Sequence, residues 1–293
     1  MLHIAKKFAG FIIFAMSASA QVFAANIPRF DHVVIAVMEN HRYDDIIGSA
    51  SAPYINSLAM SGVNFTASFA VTHPSEPNYL AMFSGSTQNV TDDACPLSFP
   101  GVNNLGAQLI AAGLTFVGYS EDLPQAGSTV CLSGASGYAR KHSPWVNFDN
   151  VPAASNQPFT AFPSTYSTLP AIAFVIPNLC NDMHDCTIAT GDTWLQTHLD
   201  GYIQWAKTHN SLFILTWDED DFTAINRIVT VFAGANLVPG QYSEVTGHYR
   251  MLATMEAMYG LAPLGGAVGL APISDIWNTI FVDGFQPAAA VAQ

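Results

Sequence analysis

The residues best equipped for chemistry are carboxylates that terminate apolar runs. Residues 212–217 read Leu-Phe-Ile-Leu-Thr-Trp and lead directly into Asp218, Glu219, Asp220 and Asp221. A run this short, rich in β-formers and apolar on both faces, reads as a strand buried on both sides. Its acids then lie at the carboxyl end, where open α/β sheets place their ligands. Four carboxylates gathered there repel one another unless a positive charge neutralises them, and a divalent cation with oxygen ligands is the simplest neutraliser. The bland alternative is a solvated acidic turn. A second stretch repeats the design: His-Val-Val-Ile-Ala-Val-Met at 32–38 ends in Glu39 and Asn40. Two such strands, close in a parallel sheet, bring their oxygen ligands to one site.

A nucleophile comes next. Thr72-His73-Pro74-Ser75-Glu76-Pro77-Asn78-Tyr79 holds Ser75 between two prolines, ahead of a helix that can start over 78–84. A serine near a helix start faces unpaired backbone amides, which favour an anion such as phosphate. Its hydroxyl needs activation by a base or a metal. No Gly-x-Ser-x-Gly elbow occurs, which disfavours that type of hydrolase triad. Read blandly, Ser75 is only a helix cap. His142, His184 and His248 each lie where a loop meets a strand end or a helix start. Together they fit a pocket that binds an oxyanion or protonates a leaving group. His32, His198 and His209 read as structural; His41 and His73 flank the motifs without an assigned role.

The elements that must position these groups alternate. Strand-like runs cover 32–38, 115–120, 171–177, 212–217 and 228–233. Helical patterns cover 53–60, 105–112 and 249–259. A longer helix follows Asp192 as N-cap, with Leu195, Leu199, Tyr202, Ile203 and Ala206 as its apolar stripe. Alternation of this kind implies an α/β fold, a largely parallel sheet with helices on both faces. The Gly-, Ser-, Pro- and Asn-rich stretch at 120–170 reads as long loops over the active face. The Ala-rich tail at 286–293 reads as frayed.

Lys6-Lys7, the apolar run 8–16 and Val22-Phe23-Ala24 read as a cleavable signal peptide over 1–24, too short in its apolar core for a membrane span. This predicts a periplasmic or secreted protein without a stable membrane anchor, cleaved near Ala24, with one domain over 25–293. Hydrophobic residues make up 50% and charged residues 11%, enough apolar material for a sizeable core. The formal charge of −13 disfavours nucleic acid as a partner. Four cysteines, Cys95, Cys131, Cys180 and Cys186, suggest two disulfides in an exported chain. Of three pairings, Cys180–Cys186 with Cys95–Cys131 is favoured. A thiolate zinc site would need closer spacing and a reducing compartment.

Taken in order, several motifs resemble those of the phosphoesterase family, which holds bacterial acid phosphatases, phospholipases C and fungal acid phosphatases within the alkaline-phosphatase-like superfamily. They are Met38-Glu-Asn-His41, His73-Pro-Ser-Glu-Pro-Asn-Tyr79, Tyr119-Ser-Glu-Asp122, Lys141-His-Ser-Pro-Trp145, Asn178-Leu-Cys-Asn-Asp-Met-His184, Trp217-Asp-Glu-Asp220 and His248-Tyr249. The resemblance implies a three-layer sandwich around a mixed, largely parallel sheet, one divalent metal ion and a phosphoserine intermediate. It implies Glu39, Asn40, Asp218 and Glu219 as metal ligands and Ser75 as both ligand and nucleophile. His142, His184 and His248 would contact phosphoryl oxygens. Arg42 stands where many relatives have a small polar residue. Phospholipase members often carry further C-terminal domains, and the chain ends soon after residue 280, so the expected substrate is a small phosphate monoester. A phosphodiesterase of the phospholipase C type is the alternative; the Phe- and Trp-containing loops at 142–166 would give it an apolar approach. A metal- or oxyanion-binding protein without turnover is a second alternative.

Overall fold

The computed structural model describes residues 27–278, so the signal segment at 1–24 and the tail at 286–293 lie outside the described residues. Eight strands form the main sheet: β1 His32–Met38, β2 Val63–Phe65, β3 Phe116–Ser120, β4 Asn156–Pro158, β5 Ile172–Ile176, β6 Ser211–Trp217, β7 Thr230–Gly234 and β8 Gly240–Tyr242. Their order is β8-β2-β7-β6-β1-β5-β3-β4. The strands from β6 to β4 are parallel, β7 pairs antiparallel with β6 and β2, and β8 pairs parallel with β2. The sheet is therefore mixed and largely parallel, as predicted.

The helices are α1 Tyr43–Ile46, α2 Pro53–Ser61, α3 Ser75–Ser84, α4 Leu105–Ala111, α5 Ile188–Ala206 and α6 His248–Tyr259. Strand alternation divides the core between them. Val33, Ile35 and Val37 of β1 and Ile214 of β6 join a layer with Leu80, Phe83, Leu109, Leu252 and Met255, from α3, α4 and α6. Val34, Ala36 and Met38, with Phe213 and Leu215, face Ile55, Leu58, Leu195, Leu199 and Ile203, from α2 and α5. The sheet is thus the middle of three layers, which explains why its central strands lack polar alternation.

Two expectations are corrected. The long helix α5 starts at Ile188, with the Thr187 side chain accepting from the Thr190 amide. Asp192 lies inside it, and its carboxylate accepts the Tyr54 and Ile55 amides of α2 at 3.1 and 2.8 Å. It caps a neighbouring helix because packing brings the start of α2 against α5. The run at 228–233 is two strands. Arg227–Ile228 pairs with Ser68–Phe69, which also pairs with Thr246–Gly247, in a separate three-stranded sheet. That small sheet ties together the segments leading to Ser75, leaving the acidic loop and leading to His248. A Cβ on Gly247 would lie 2.1 Å from the Phe69 carbonyl oxygen, so this junction needs glycine. Among the aromatic residues of the 142–166 loops, Phe159 and Phe162 stay partly exposed, unlike Trp145 and Phe148. Trp145 and Phe148 are buried against Phe83, and Trp145 also meets Phe116 and Phe174.

Disulfides join Cys95 to Cys131 and Cys180 to Cys186. No helix among the described residues is long and apolar enough to cross a membrane.

Candidate active site

Adjacent parallel strands set the first two carboxylates. Met38 pairs with Trp217 at the ends of β1 and β6, and the Asp218 amide donates to the Met38 carbonyl at 3.0 Å. Glu39 and Asp218 therefore leave the sheet side by side, both fully buried. Asn40 follows in the left-handed region at φ 51, which asparagine tolerates, and its amide points to Asp218 Oδ1 at 3.4 Å.

Ser75 is the first residue of α3, so the helix begins three residues earlier than the sequence pattern indicates. Asn78 explains the start. Its side chain accepts the Val71 and Thr72 amides and donates to the Thr72 and Pro74 carbonyls, pinning the loop that delivers the serine. Ser75 is buried, and Oγ lies 3.0 Å from Glu39 Oε2 and 3.1 Å from Glu219 Oε1. A hydroxyl has one proton to donate, so acceptors outnumber donors here. Asp218 Oδ2 and Asn40 Oδ1 are also buried without a hydrogen-bond partner among the described residues. Burial raises the Glu39, Asp218 and Glu219 pKa values, and neighbouring Asp218 raises that of Glu39 further, as Glu219 does for Asp218. A pocket of surplus oxygen acceptors with disfavoured negative charge suits a hard divalent cation.

The histidines differ in what they touch. His142 is buried, stacked on Tyr79 at 5.0 Å, and lies between Glu39 Oε1 (3.2 Å, without hydrogen-bond alignment) and Asp182 Oδ2 (3.4 Å). Burial, with the charges of Lys141 and His184, pushes its pKa well down. Glu39, His142 and Asp182 offer ligand atoms that all lie within 4.8 Å of one another, a second potential metal position on the far side of the Glu39 carboxylate. His248 is buried, its Nε2 2.6 Å from the Asp218 carbonyl, and burial brings its pKa to about 4. A neutral ring with Nε2–H donating to that carbonyl fits this geometry. His184 is partly exposed; its Nδ1 is 2.7 Å from Asp185 Oδ1 and its ring is 6.2 Å from that of His142.

Three further participants carried no assignment from the sequence. His73 bonds Glu219 and the Thr223 carbonyl. Burial lowers its pKa, but these bonds and the charges of Glu219 and Asp220 outweigh it, for a net rise. Tyr79 donates to Glu39 Oε1 at 2.5 Å; its position four residues after Ser75, on the same helix face, is a signal that could have found it. Asp182 is buried in the loop closed by Cys180–Cys186, where its carbonyl accepts the Glu39 amide. Glu121 holds that loop by accepting the Asn178 amide and the Asn181 side chain.

Residues 49–262 match the model of the Phosphoesterase family. The chain belongs to the phosphoesterase family. A phosphatidylinositol-3-phosphatase of Mycobacterium tuberculosis is 54% identical over 87% of this chain and 85% of its own length. A probable acid phosphatase of Kluyveromyces lactis is 33% identical over 84% of the chain, which spans 62% of that relative. For a phosphate-repressible acid phosphatase of Penicillium chrysogenum the identity is 30% and the shares are 80% and 60%. The fold resembles that of a protein of the alkaline phosphatase superfamily from Vibrio parahaemolyticus, with a TM-score of 0.56 at 11% identity over 83% of this chain and 71% of that one. It also resembles a phosphonate monoester hydrolase from Silicibacter pomeroyi, with a TM-score of 0.57 at 11% identity over 87% and 78%. The phosphoesterase is a phosphoric ester hydrolase with an alkaline-phosphatase-like fold.

Proposed function

We propose that this chain hydrolyses phosphate monoesters through a phosphoserine at Ser75, with one divalent cation held by Glu39, Asn40, Asp218, Glu219 and Ser75. The carrying observation is the position of Ser75 Oγ, buried between the Glu39 and Glu219 carboxylates. When bound, the cation neutralises these acids and supplies electrophilic stabilisation for phosphoryl transfer. Ser75 Oγ attacks phosphorus, the Oγ–P bond forms and the bond to the alcohol breaks. The seryl proton passes to one of the two carboxylates within reach of Oγ, Glu39 or Glu219. His184, the partly exposed histidine, protonates the departing alcohol, with Asp185 orienting its ring. Water then attacks the phosphoserine and gives a proton to His184 as its oxygen bonds phosphorus; the Oγ–P bond breaks, inorganic phosphate leaves, and Ser75 takes its proton back from the carboxylate. His142 and His248, expected to contact phosphoryl oxygens, take supporting roles instead: His142 packs on Tyr79, which donates to Glu39, and His248 holds the backbone at Asp218.

The two possible metal positions share Glu39. The Ser75 side is favoured because acceptors exceed donors there, whereas Tyr79 already donates to the Glu39 oxygen facing His142. Elemental analysis separates them: Asp218→Asn should lose metal and turnover together, while His142→Ala should retain metal. The reverse pattern would move the cation to the Glu39–His142–Asp182 side.

Similarity to acid phosphatases and to a phosphatidylinositol-3-phosphatase favours monoester over diester substrates, and a phosphorylated inositol lipid is the first natural substrate to try. p-Nitrophenyl phosphate should be hydrolysed well above bis(p-nitrophenyl) phosphate; a diester preference would overturn the substrate assignment. The two disulfides support export to an oxidising compartment.

A further inference from the structure

Lys141 and Asp93 stand outside the machinery above. Lys141 immediately precedes His142, and its Nζ lies 2.8 Å from Asp93 Oδ2. The other oxygen of the same carboxylate accepts the Glu76 amide at 3.0 Å. Glu76 follows Ser75 in the first turn of α3. An ammonium and a helix-start amide beside the nucleophile therefore converge on one anion, and in this structure that anion is a side chain. Asp93 belongs to the loop that Cys95–Cys131 tethers, and about a third of its side chain is exposed, whereas the lysine is largely covered. The geometry is lopsided: the cation is fixed and partly desolvated, while its counter-ion has water to turn to.

We propose that Lys141 Nζ and the Glu76 amide form a phosphoryl-oxygen subsite at the start of α3, and that Asp93 fills it as an internal stand-in until the substrate phosphate displaces it. This rests on the reading of Ser75 as nucleophile and deepens it by naming what selects the substrate. A monoester phosphoryl group carries two negative charges and three free oxygens, so it competes for a lysine and an amide better than one carboxylate does. A diester carries one charge and two free oxygens. The subsite therefore favours monoesters, and occupation by Asp93 raises the threshold for weak anions.

The test measures competitive inhibition by inorganic phosphate, kcat/KM on p-nitrophenyl phosphate and on bis(p-nitrophenyl) phosphate, and Tm, for the full chain and three variants. Lys141→Met should weaken phosphate inhibition roughly tenfold or more and cut monoester kcat/KM more than diester kcat/KM, by roughly 10²-fold. Lys141→Arg should restore part of both. Asp93→Asn keeps an acceptor for the amide but removes the competing charge, so phosphate inhibition should tighten by roughly threefold or more. Unchanged phosphate inhibition in Lys141→Met, or unchanged or weaker inhibition in Asp93→Asn, would overturn the proposal. If Lys141→Met does not fold, Lys141→Arg and Asp93→Asn decide it. Retained turnover in Ser75→Ala would instead defeat the nucleophile reading, and phosphate binding to that variant by calorimetry still reports on the subsite.

Discussion

One buried hydroxyl between two buried carboxylates is a costly arrangement for a folded chain, and the cost points to its use. Burial and mutual repulsion disfavour charge on Glu39, Asp218 and Glu219, and that is the ground for proposing a cation here. Glu39, Ser75, Asp218 and Glu219 were legible in sequence because each ends a strand or opens a helix. His73 and Asp182 were not, because they reach the site only through the packing of distant segments. The histidines illustrate the same limit: three similar motif positions yield two fully buried rings and one partly exposed ring. His184→Ala should therefore retain metal and lose roughly 10²-fold in kcat on an alkyl phosphate, whose alcohol needs a proton. The loss on p-nitrophenyl phosphate should be much smaller, because nitrophenolate leaves unaided. Equal losses on both substrates would remove His184 as the proton donor.

Helices and strands were readable wherever periodicity was local. β1 follows its apolar run to the residue, and α6 extends the expected helix by one position to His248. Asp192 exposes what periodicity misses. An acid ahead of an apolar stripe resembles an N-cap, yet its carboxylate serves α2, whose own N-cap is Ala52 and makes no side-chain cap bond. Asp192→Ala should destabilise the protein by about 1–2 kcal/mol through the lost cap and helix-start charge. Turnover should hold in the folded fraction, since α2 lies on the face opposite α3. Denaturant titration with kinetics on the same preparation checks this; an unchanged midpoint would show that the α2 amides find water instead.

At the scale of the molecule, the three layers divide labour. The sheet ends carry the acids, α3 carries Ser75, and the small second sheet locks the three site segments together. Separation of that small sheet from the run at 228–233 was invisible in sequence, because the whole run consists of strand-favouring residues and only the partners of each part differ. α6 closes the outer layer and contains a buried acid away from the chemistry. Glu256 accepts only the Leu264 amide, its other oxygen lacks a partner among the described residues, and burial pushes its pKa from 4.5 up to about 8. The folded state then holds a proton that the unfolded chain releases. Glu256 thus costs stability progressively as pH rises from about 4.5 to about 8, and no further change follows above that. Glu256→Gln should raise Tm near pH 8, by the equivalent of about 1–3 kcal/mol, and by little near pH 4. The difference between wild type and variant across pH isolates this group from the acids of the active site. A gap independent of pH would show that Glu256 does not titrate in that window.

The central claim is that Ser75 carries the phosphoryl group. Acid quenching during turnover of p-nitrophenyl phosphate, followed by peptide mass analysis, tests it most directly. The phosphorylated peptide should be the one containing Ser75, with fragmentation placing the group on that side chain, and no such species should form in folded Ser75→Ala, which should also lack turnover. Turnover by a folded Ser75→Ala protein, or a phosphoryl group trapped on any other residue, would contradict the account.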